Sequence, residues 1–548
     1  MSELILGPLV RHVGERDATV WVETDEACEV EVLGHTEVTF CVDGHHYALV
    51  CIEGLETGSR YEYDVKLDGE RRWPVSDSGF PPSQIRTLDP EGELRVSFGS
   101  CRVALPMEPP YVFTKDEHDD GAELDALHVY AHELLRDLDK RWPNLLLMIG
   151  DQVYVDEGSL ETREFIRSRR DVSEPPGEEV LDFEEYTRLY RESWSEPYVR
   201  WLFSTVPTAM VIDDHDISDD WNISRSWKQE MDRKPWWHRR VRAGFMTYWI
   251  YQHLGNLSPR ELSEDETLAK VKELRDDAGP VLRDYADRAY DDREGIRWSY
   301  HRDLCGTRVI VMDSRGGRVL EEGRRSILDD EEREWVGGQA DGNFDHLLIA
   351  TSDPFLLSHG IHYLEACSEA VCDGTWGKPA AKLMEKLRRA MDFDHWAAFG
   401  ISFRRLTGLL REVGAGEKGA APATIVVLSG DVHHAYLAEM AFRRESGVTS
   451  RVYQAVCSPF RNPLDAKERR VIRISFGKAM TAVTRALSRA AGVPDPDLRW
   501  RILDGPYFDN QVGTVTLEGR SARIKLEKTN PGEAEQHSLE TSFERRLA

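Results

Sequence analysis

Six short apolar runs, each ending abruptly in polar residues that can bind metals or catalyse reactions, constrain the fold more than any other feature. The runs are LRVSF before Gly99, LLLMI before Gly150, AMVI before Asp213, RVIVM before Asp313, LLIA before Thr351 and TIVVL before Ser429. Runs of this length and β-branched content are typical of strands buried on both faces. Open α/β sheets bind ligands at the carboxyl ends of their strands. We therefore predict an α/β region in which six loops converge on one site.

The part of the chain before these runs has a different pattern. From residue 6 to about residue 87, short apolar and polar alternations are broken by turn residues, which predicts antiparallel strands. Residues 55–63 resemble the corner before a late strand of fibronectin-type-III-like domains, and an unrelated sandwich with an ordinary hairpin is the alternative. We predict a small all-β, fibronectin- or immunoglobulin-like sandwich over residues 1–88. A catalytic α/β domain over residues 93–548 follows, with helical insertions near 158–201 and 223–300.

Composition excludes several classes of partner. Lys and Arg number 70 and Asp and Glu 98, so the net charge of −28 repels polyphosphate chains, and we expect no obligate nucleic-acid partner. No window of 18 or more apolar residues and no export signal is visible, so we expect no transmembrane segment and a cytoplasmic location. The eight cysteines are scattered, as expected of reduced thiols.

Two of the six loops concentrate carboxylates. Asp151 directly follows its apolar run and Tyr154 comes three residues later, so both can offer oxygen ligands to one cation. A capping aspartate beside a packing tyrosine is the alternative. Residues 213–216, Asp-Asp-His-Asp, place three carboxylates around one imidazole, and their repulsion is costly unless a cation neutralises it. A solvated acidic turn with a capping histidine is the alternative there.

Two further loops carry softer ligands. Asp431 and His433 are two residues apart after the last run, where both side chains can point inward, or where the histidine is a core or capping residue. Cys101 and Arg102 follow the first run, where a thiolate can bind a metal and a guanidinium can bind phosphate oxygens. Taken alone, Cys101 would be interpreted as an inert buried thiol.

Together these motifs resemble those of the metallophosphoesterases, specifically the PhoD-type alkaline phosphatase branch of the calcineurin-like superfamily. That branch has Ser-Cys, Gly-Asp-x-x-Tyr, Asp-Asp-His-Glu and Gly-Asp-x-His in this order. The chain has all four, with Asp216 in place of the Glu. Residues 313–318, Asp-Ser-Arg-Gly-Gly-Arg, also resemble the Asp-Thr-Arg-x-x-Arg element of the branch. The resemblance covers about residues 93–515, and it extends to the amino-terminal domain often attached to this branch.

The resemblance implies an α/β sandwich of two sheets flanked by helices, and a two-metal site. One ferric iron would be held by four residues, namely Cys101, Asp151, Tyr154 and His433. Asp151 would bridge to a second site completed by Asp214 and Asp431, which the family fills with calcium and which manganese or magnesium is also suited to occupy. The chemistry agrees, because phenolate, imidazole and thiolate suit a transition metal and carboxylates alone suit a hard cation.

The resemblance also implies a reaction, the hydrolysis of phosphomonoesters and also of phosphodiesters by a metal-bridging hydroxide. His215 would protonate the leaving alkoxide, and Asp216 would orient it. Arg102 is the candidate clamp on the substrate phosphate. Arg315 and Arg318 are interpreted either as support for this clamp or as surface or structural residues.

The chain lacks the histidine that the superfamily has after the fifth strand. Thr351 and Asp353 stand in that region, so Asp353 is a candidate substitute ligand. His359 and His362 lie nearby in the sequence, and we interpret both as packing or loop histidines.

Two other functions stay open on the sequence. A dedicated phosphodiesterase acting on lipids or nucleotides would use the tryptophan-rich region near Trp236 or the basic amphipathic segment 467–489, which begins at Lys467 and ends at Arg489. For that segment we favour a helix packed on the domain with a solvated face over peripheral membrane contact. A non-catalytic, metal-stabilised scaffold is the second alternative. His215 counts against it, because a structural metal site needs no proton donor.

Overall fold

The computed structural model describes residues 2–76, 78–138, 142–274, 276–291, 293, 295–530 and 537–548. It begins with an all-β region, in which apolar residues alternate with polar ones along short strands. The strands of this region are β1 (Leu4–Val13), β2 (Asp17–Thr24), β3 (Glu29–Val32), β4 (His35–Val38), β5 (Phe40–Val42), β6 (His45–Glu53), β7 (Arg60–Glu62), β8 (Val65–Leu67), β9 (Glu70–Trp73) and β10 (Gln84–Arg86).

Two antiparallel four-stranded sheets make up most of this region, with strand orders β1-β2-β6-β5 and β4-β3-β8-β9. Valines on facing strands, such as Val20 and Val30, form the core between these two sheets. The other face of β2 is also buried, because Trp21 packs edge to face on Trp194 with ring centroids 6.4 Å apart. The first sheet is therefore covered on its outer side by helices from later in the chain.

The chain then alternates strands and helices up to a β-hairpin. The elements are β11 (Leu94–Gly99), α1 (Ala126–Arg136), β12 (Leu145–Ile149), α2 (Leu160–Arg169), α3 (Phe183–Trp194), α4 (Pro197–Phe203), β13 (Thr208–Val211), α5 (Arg225–Met231), α6 (Trp237–Thr247), a π-helical segment (Tyr248–His253), α7 (Leu254–Asn256), α8 (Pro259–Glu264), α9 (Glu266–Glu273), α10 (Gly279–Asp291) and β14 (Tyr300–Leu304). Helices α2–α4 and α5–α10 lie in the two stretches for which the sequence predicts helical insertions.

A second run of alternating elements completes the chain. They are β15 (Thr307–Met312), α11 (Asp330–Gln339), β16 (His346–Thr351), α12 (His359–Cys372), α13 (Lys378–Ala390), α14 (Gly400–Gly414), β17 (Thr424–Ser429), β18 (Ala435–Ala441), β19 (Arg451–Val456), α15 (Ala466–Ser475), α16 (Lys478–Ala490), β20 (Arg499–Tyr507), β21 (Gln511–Glu518), β22 (Ser521–Asn530) and β23 (Ser538–Arg546).

These strands form two mixed sheets, with orders β13-β12-β11-β21-β22-β23 and β14-β15-β16-β17-β19-β18-β20. Apolar side chains from both sheets, for example Leu147 and Val426, form the core between them. Helix α14 and neighbouring elements cover the outer face of the second sheet. The predicted fold class is confirmed: two sheets flanked by helices follow an all-β region. The domain boundaries near residues 88 and 93 stay a prediction.

All six apolar runs of the sequence are strands of these sheets. Strands β11, β12 and β13 are parallel neighbours in the first sheet, and β15, β16 and β17 are parallel neighbours in the second. Parallel strands end at the same edge, so their loops converge. Within the described ranges, no helix is both long and apolar enough to cross a lipid bilayer.

Candidate metal centre

The loops at this edge turn through a backbone conformation that most side chains avoid. Cys101, Asp151, Asp431 and His433 all have φ between 49° and 65°. For residues other than glycine this left-handed region is uncommon and costs energy, and such residues cluster at functional sites. All four are residues that the sequence assigns to metal binding. The sharp turns place them directly after β11, β12 and β17.

The structure brings these loops together with the loop after β13. Ligand atoms of Asp151, Asp214 and His215 all lie within 4.8 Å of one another. Those of Asp213, Asp214 and Asp431 do the same. Asp214 is common to both groups, so the predicted convergence of strand ends produces one continuous acidic cluster.

Several carboxylate oxygens in this cluster accept no hydrogen bond. Among the described residues, Asp151 Oδ1, Asp213 Oδ2 and Asp214 Oδ1 are buried without a hydrogen bond. Burial and, among their neighbours, other carboxylates raise the pKa of Asp151 and of Asp213 well above the usual value. Buried carboxylates without partners are costly unless a cation neutralises them. These residues therefore fit a site for one or more metal ions.

Cys101 and Tyr154 lie beside the acidic cluster in a small apolar cluster of packed side chains that also contains Val103. The Ser458 hydroxyl donates to Cys101 Sγ at 3.2 Å, and the Tyr154 hydroxyl donates to Asp151 Oδ2 at 3.1 Å. Burial raises the pKa of both the thiol and the phenol well above their usual values. Each group would need a metal ion to become an anionic ligand.

His433 completes the set of predicted iron ligands. Its backbone N–H donates to the Ser458 hydroxyl at 3.2 Å, which ties its loop to Cys101. Burial lowers the pKa of His433 to about 3, so its imidazole is neutral. A neutral imidazole is the form that binds metals.

His215 is held by Asp156, a residue that sequence analysis missed. His215 Nδ1 lies 3.1 Å from Asp156 Oδ2, and its ring stacks on Tyr154 with centroids 4.3 Å apart. Burial acts to lower the pKa of His215, but Asp214 and Asp156 raise it well above 6.5. Asp156 lies five residues after Asp151 in the same loop, and that acidic spacing was the available signal.

Asp216 does not orient His215, and this corrects the role assigned to it from the sequence. Its Oδ1 accepts the backbone N–H groups of Gln152 and Val153 at 3.1 and 3.2 Å, and its Oδ2 accepts that of Asp213 at 3.0 Å. Asp216 therefore fixes the loops after β12 and β13 to each other. The contact to His215 is made by Asp156 instead.

Arg102 is held by partners outside the acidic cluster. Its Nε and Nη2 lie 2.8 and 2.7 Å from Asp125 Oδ2, and its Nη1 donates to the Ser193 carbonyl at 2.5 Å. Both ion-pair partners are buried. Because these partners occupy the guanidinium, its position gives no support to the proposed phosphate clamp.

Arg315 lies within the acidic cluster. Its guanidinium is 2.6 Å from Asp213, 3.3 Å from Asp353 and 3.6 Å from both Asp214 and Asp431. It also pairs with Asp394. Burial acts to lower the pKa of Arg315, but the carboxylates raise it. Arg315 thus supplies part of the positive charge that the cluster requires.

The neighbouring Arg318 is tied to Asp353. Arg318 Nη2 lies 2.8 Å from Asp353 Oδ2 and its Nη1 lies 3.0 Å from Asp394 Oδ2. Asp353 also approaches Arg315 at 3.3 Å. The candidate substitute ligand is therefore engaged by two guanidinium groups. Arg318 is buried and takes a structural position in the network.

His395 is a second residue that sequence analysis missed. Its Nε2 lies 3.0 Å from Asp431 Oδ2, and its Nδ1 lies 2.7 Å from Glu365 Oε1. His395 therefore places an imidazole beside the acidic cluster, whereas the loop after β16, where the superfamily has a histidine, contains none. The available signal was the run Asp-Phe-Asp-His at 392–395, which concentrates acids and a histidine as residues 213–216 do.

His359 and His362, by contrast, are packing residues. His359 stacks flat on Trp500 with ring centroids 4.3 Å apart. His362 packs edge to face on Phe403 and Trp500. Burial lowers the pKa of His362 to about 3.

Comparison with known proteins finds two family matches in this chain. Residues 127–264 match the model of the family described as PhoD-like phosphatase, and residues 1–85 match a domain of unknown function, DUF7800. The first match includes Asp151, Tyr154 and residues 213–216, but not Cys101. A search of curated proteins finds no significant match.

Among solved structures, one described as the structure of PhoD is similar over 100% of this chain and 92% of its own, with a TM-score of 0.59 and 14% identity. A maltogenic amylase from S. marinus matches 95% of this chain and 76% of its own at a TM-score of 0.20 and 10% identity. Residues 127–264 are therefore similar to the PhoD-like phosphatase family, and over its whole length the chain has a fold similar to that of PhoD.

Proposed function

We propose that this protein hydrolyses phosphate esters in a metal-dependent reaction, as an alkaline phosphatase of the PhoD-like type that acts on monoesters and also accepts diesters. The observation that carries the proposal is the meeting of three buried carboxylate oxygens that accept no hydrogen bond at the strand ends, beside Cys101 and Tyr154. Such a cluster requires cations, and cations bound there can act on a phosphate ester. The family match of residues 127–264 supports the substrate class.

Two metals would share the cluster. Cys101, Asp151, Tyr154 and His433 would hold ferric iron, since thiolate, phenolate and imidazole suit a transition metal. Asp151, Asp214 and Asp431 would hold calcium, or manganese or magnesium, since oxygen ligands suit hard cations. Bound cations would activate water and stabilise the charge that develops on the phosphate oxygens.

His215 would supply the proton that the leaving alkoxide needs. Because Asp156 engages Nδ1 at 3.1 Å and only the exposed Asp219 approaches Nε2, at 3.8 Å, Nε2 is the ring nitrogen that would donate a proton. The stacking on Tyr154 fixes the ring plane beside the proposed iron ligand. The presence of this held imidazole favours an enzyme over a metal-stabilised scaffold.

The proposal includes a cytoplasmic location and a small phosphate ester, not a nucleic acid, as substrate. All eight cysteines are free, as is usual in a reducing compartment. The net charge of −28 disfavours polyphosphate chains.

The test combines metal analysis with turnover. Elemental analysis should find near-stoichiometric iron, and the absorbance spectrum should contain a visible phenolate-to-iron band. Purified protein should release p-nitrophenol from mono- and bis-p-nitrophenyl phosphate. The ratio of the two rates separates a phosphomonoesterase from a dedicated phosphodiesterase.

Tyr154→Phe is the matched variant for the iron assignment. It should abolish the visible band while leaving a folded protein, because only the hydroxyl is removed. Absence of metal and of turnover after reconstitution with iron plus calcium or manganese would overturn the proposal and favour the scaffold.

A further inference from the structure

Helices α15 and α16 bury polar side chains and expose apolar ones. The buried residues of α15 and α16 are Ser475, Thr484 and Ser488. Four exposed apolar residues together form what we call the outer apolar row. They are Val471 (56% exposed), Ile474 (54%), Val483 (58%) and Leu487 (41%). This is the reverse of an ordinary surface helix, whose apolar stripe faces the core.

The reversed orientation is built into the packing of these helices. The Thr484 hydroxyl donates to the Met480 carbonyl of its own helix at 3.0 Å, and the hydroxyls of Ser475 and Ser358 lie 2.6 Å apart. A Cβ at Gly360 of α12 would lie 2.4 Å from the Ser475 carbonyl oxygen. The inward polar groups therefore have partners at close range, so the apolar residues cannot simply rotate inward.

Basic residues share this surface. Residues 466–490 contain seven basic side chains and one acidic, in a chain whose net charge is −28. Arg485 and Arg489 pair with Asp495. Four further basic residues are exposed, namely Lys467, Arg470, Arg473 and Lys478. The charge of this surface is therefore opposite to that of the molecule as a whole.

The segments that flank α15 contact loops of the candidate metal centre. In the segment before α15, the Arg461 N–H donates to the Cys101 carbonyl at 3.0 Å. Between α15 and α16, the ring of Phe476 packs edge to face on His434, the neighbour of His433, with centroids 6.0 Å apart. The exposed surface thus adjoins the loops that carry proposed iron ligands.

We propose that α15 and α16 dock on an anionic lipid bilayer, with the outer apolar row entering the headgroup boundary and the basic residues contacting lipid phosphates. Apolar and basic side chains on exposed helices are the combination that binds such surfaces. A two-fold dimer through this face would set basic surface against basic surface. The docking stands independently of catalysis. Its consequence, that phosphate esters at the membrane reach the site, rests on the proposed function.

The test is co-sedimentation of the full chain with phosphatidylcholine vesicles, with and without phosphatidylglycerol. Binding should require the anionic lipid and weaken with salt. The triple variant Lys467→Ser, Arg470→Ser, Lys478→Ser should lower the partition coefficient at least tenfold, because each basic residue contributes about fivefold at an anionic surface. The double variant Ile474→Ser, Val483→Ser should lower it about tenfold or more.

Matched controls use equally exposed residues elsewhere. Val38→Ser with Leu160→Ser removes apolar side chains that are 63% and 62% exposed. Arg260→Ser with Lys270→Ser removes basic ones that are 86% and 61% exposed. Neither control should change vesicle binding.

Turnover of soluble bis-p-nitrophenyl phosphate, measured on the same variants, separates docking from catalysis. It should match the wild-type rate. No binding to anionic vesicles, or equal binding by wild type and surface variants, would overturn the docking whatever the turnover. A concentration-dependent dimer in sedimentation equilibrium that the Ile474→Ser, Val483→Ser variant abolishes would assign this face to a second copy and also overturn it.

Discussion

At the residue scale, the proposed metal ligand Asp151 and the proposed proton donor His215 are different residues with different partners. Asp151 has a buried, unpartnered oxygen and lies in both proposed metal sites. The Nδ1 atom of His215 is held by Asp156. These two positions therefore allow metal binding and proton transfer to be tested apart.

Asp151→Ala should lose both metals and all activity, since one carboxylate is proposed to serve both ions. His215→Ala should retain metal and lose turnover by about 10²–10⁴-fold, the range of a general acid. Elemental analysis and p-nitrophenyl phosphate turnover on both variants check this. Equal metal loss in the two variants would show that His215 is a ligand as well.

We predict that Arg102 stabilises the fold and does not bind the substrate. Arg102→Met leaves the buried Asp125 without its partner, so it should lower the free energy of unfolding by about 3–5 kcal/mol. KM for p-nitrophenyl phosphate should stay unchanged in the folded protein. Urea denaturation and steady-state kinetics measure the two effects. A raised KM at unchanged stability would restore the phosphate-clamp assignment.

At the element scale, strands were easier to predict than surface helices. Nearly all residues of the six apolar runs are buried, so hydrophobicity alone locates these strands. Segment 467–489 does pack on the domain, as the sequence interpretation favoured. Its apolar residues face outward, however, because the residues that pack against the domain are serines and a threonine, and one of these serines lies against Gly360. Periodicity cannot show which side of an amphipathic helix meets the core.

Gly360 tests that contact between α12 and α15. Gly360→Ala should lower the free energy of unfolding by about 1–3 kcal/mol, because its Cβ would lie 2.4 Å from a backbone oxygen. Gly408→Ala on α14 is the matched control, since nothing lies within 4 Å of its Cβ position. It should be neutral or stabilise by up to about 1 kcal/mol. Equal effects of the two substitutions in urea denaturation would contradict the close packing.

At the scale of the whole molecule, the amino-terminal sheets and the later helices share a core. Trp21 and Tyr47 pack on Tyr251 of the π-helical segment. The buried Arg11 donates to the carbonyls of Thr208 and Tyr251 at 3.3 and 2.5 Å. We therefore expect the amino-terminal sheets to unfold together with β13, the strand that ends at the metal centre.

His45 joins β2 to α3 through Glu23 and Glu184, and its protonation should make the stability of the protein depend on pH. Burial acts to lower its pKa, but contacts with Glu23 and Glu184, at 3.1 and 2.8 Å, raise the pKa to about 9. The folded state thus binds the proton more tightly than the unfolded state, with its ordinary pKa of about 6.5. The added stability is complete below pH 6.5 and is lost as the pH rises through 9.

His45→Gln should therefore destabilise the protein more at pH 6 than at pH 9.5, by at most about 3 kcal/mol in urea denaturation. His35→Gln, on the edge strand β4, is the control. A difference between wild type and His45→Gln that is the same at both pH values would contradict the ion-pair account.

By itself the sequence determined the α/β architecture and most of the candidate ligands, because burial of strands and the order of motifs are local properties. It predicted candidate metal ligands that the structure gathers at one edge. Tertiary structure alone decided the partners. Asp156 rather than Asp216 holds His215, Asp125 occupies Arg102, and His395 reaches Asp431. These contacts join residues far apart in the chain or depend on loop conformation, and short motifs carry no information about either.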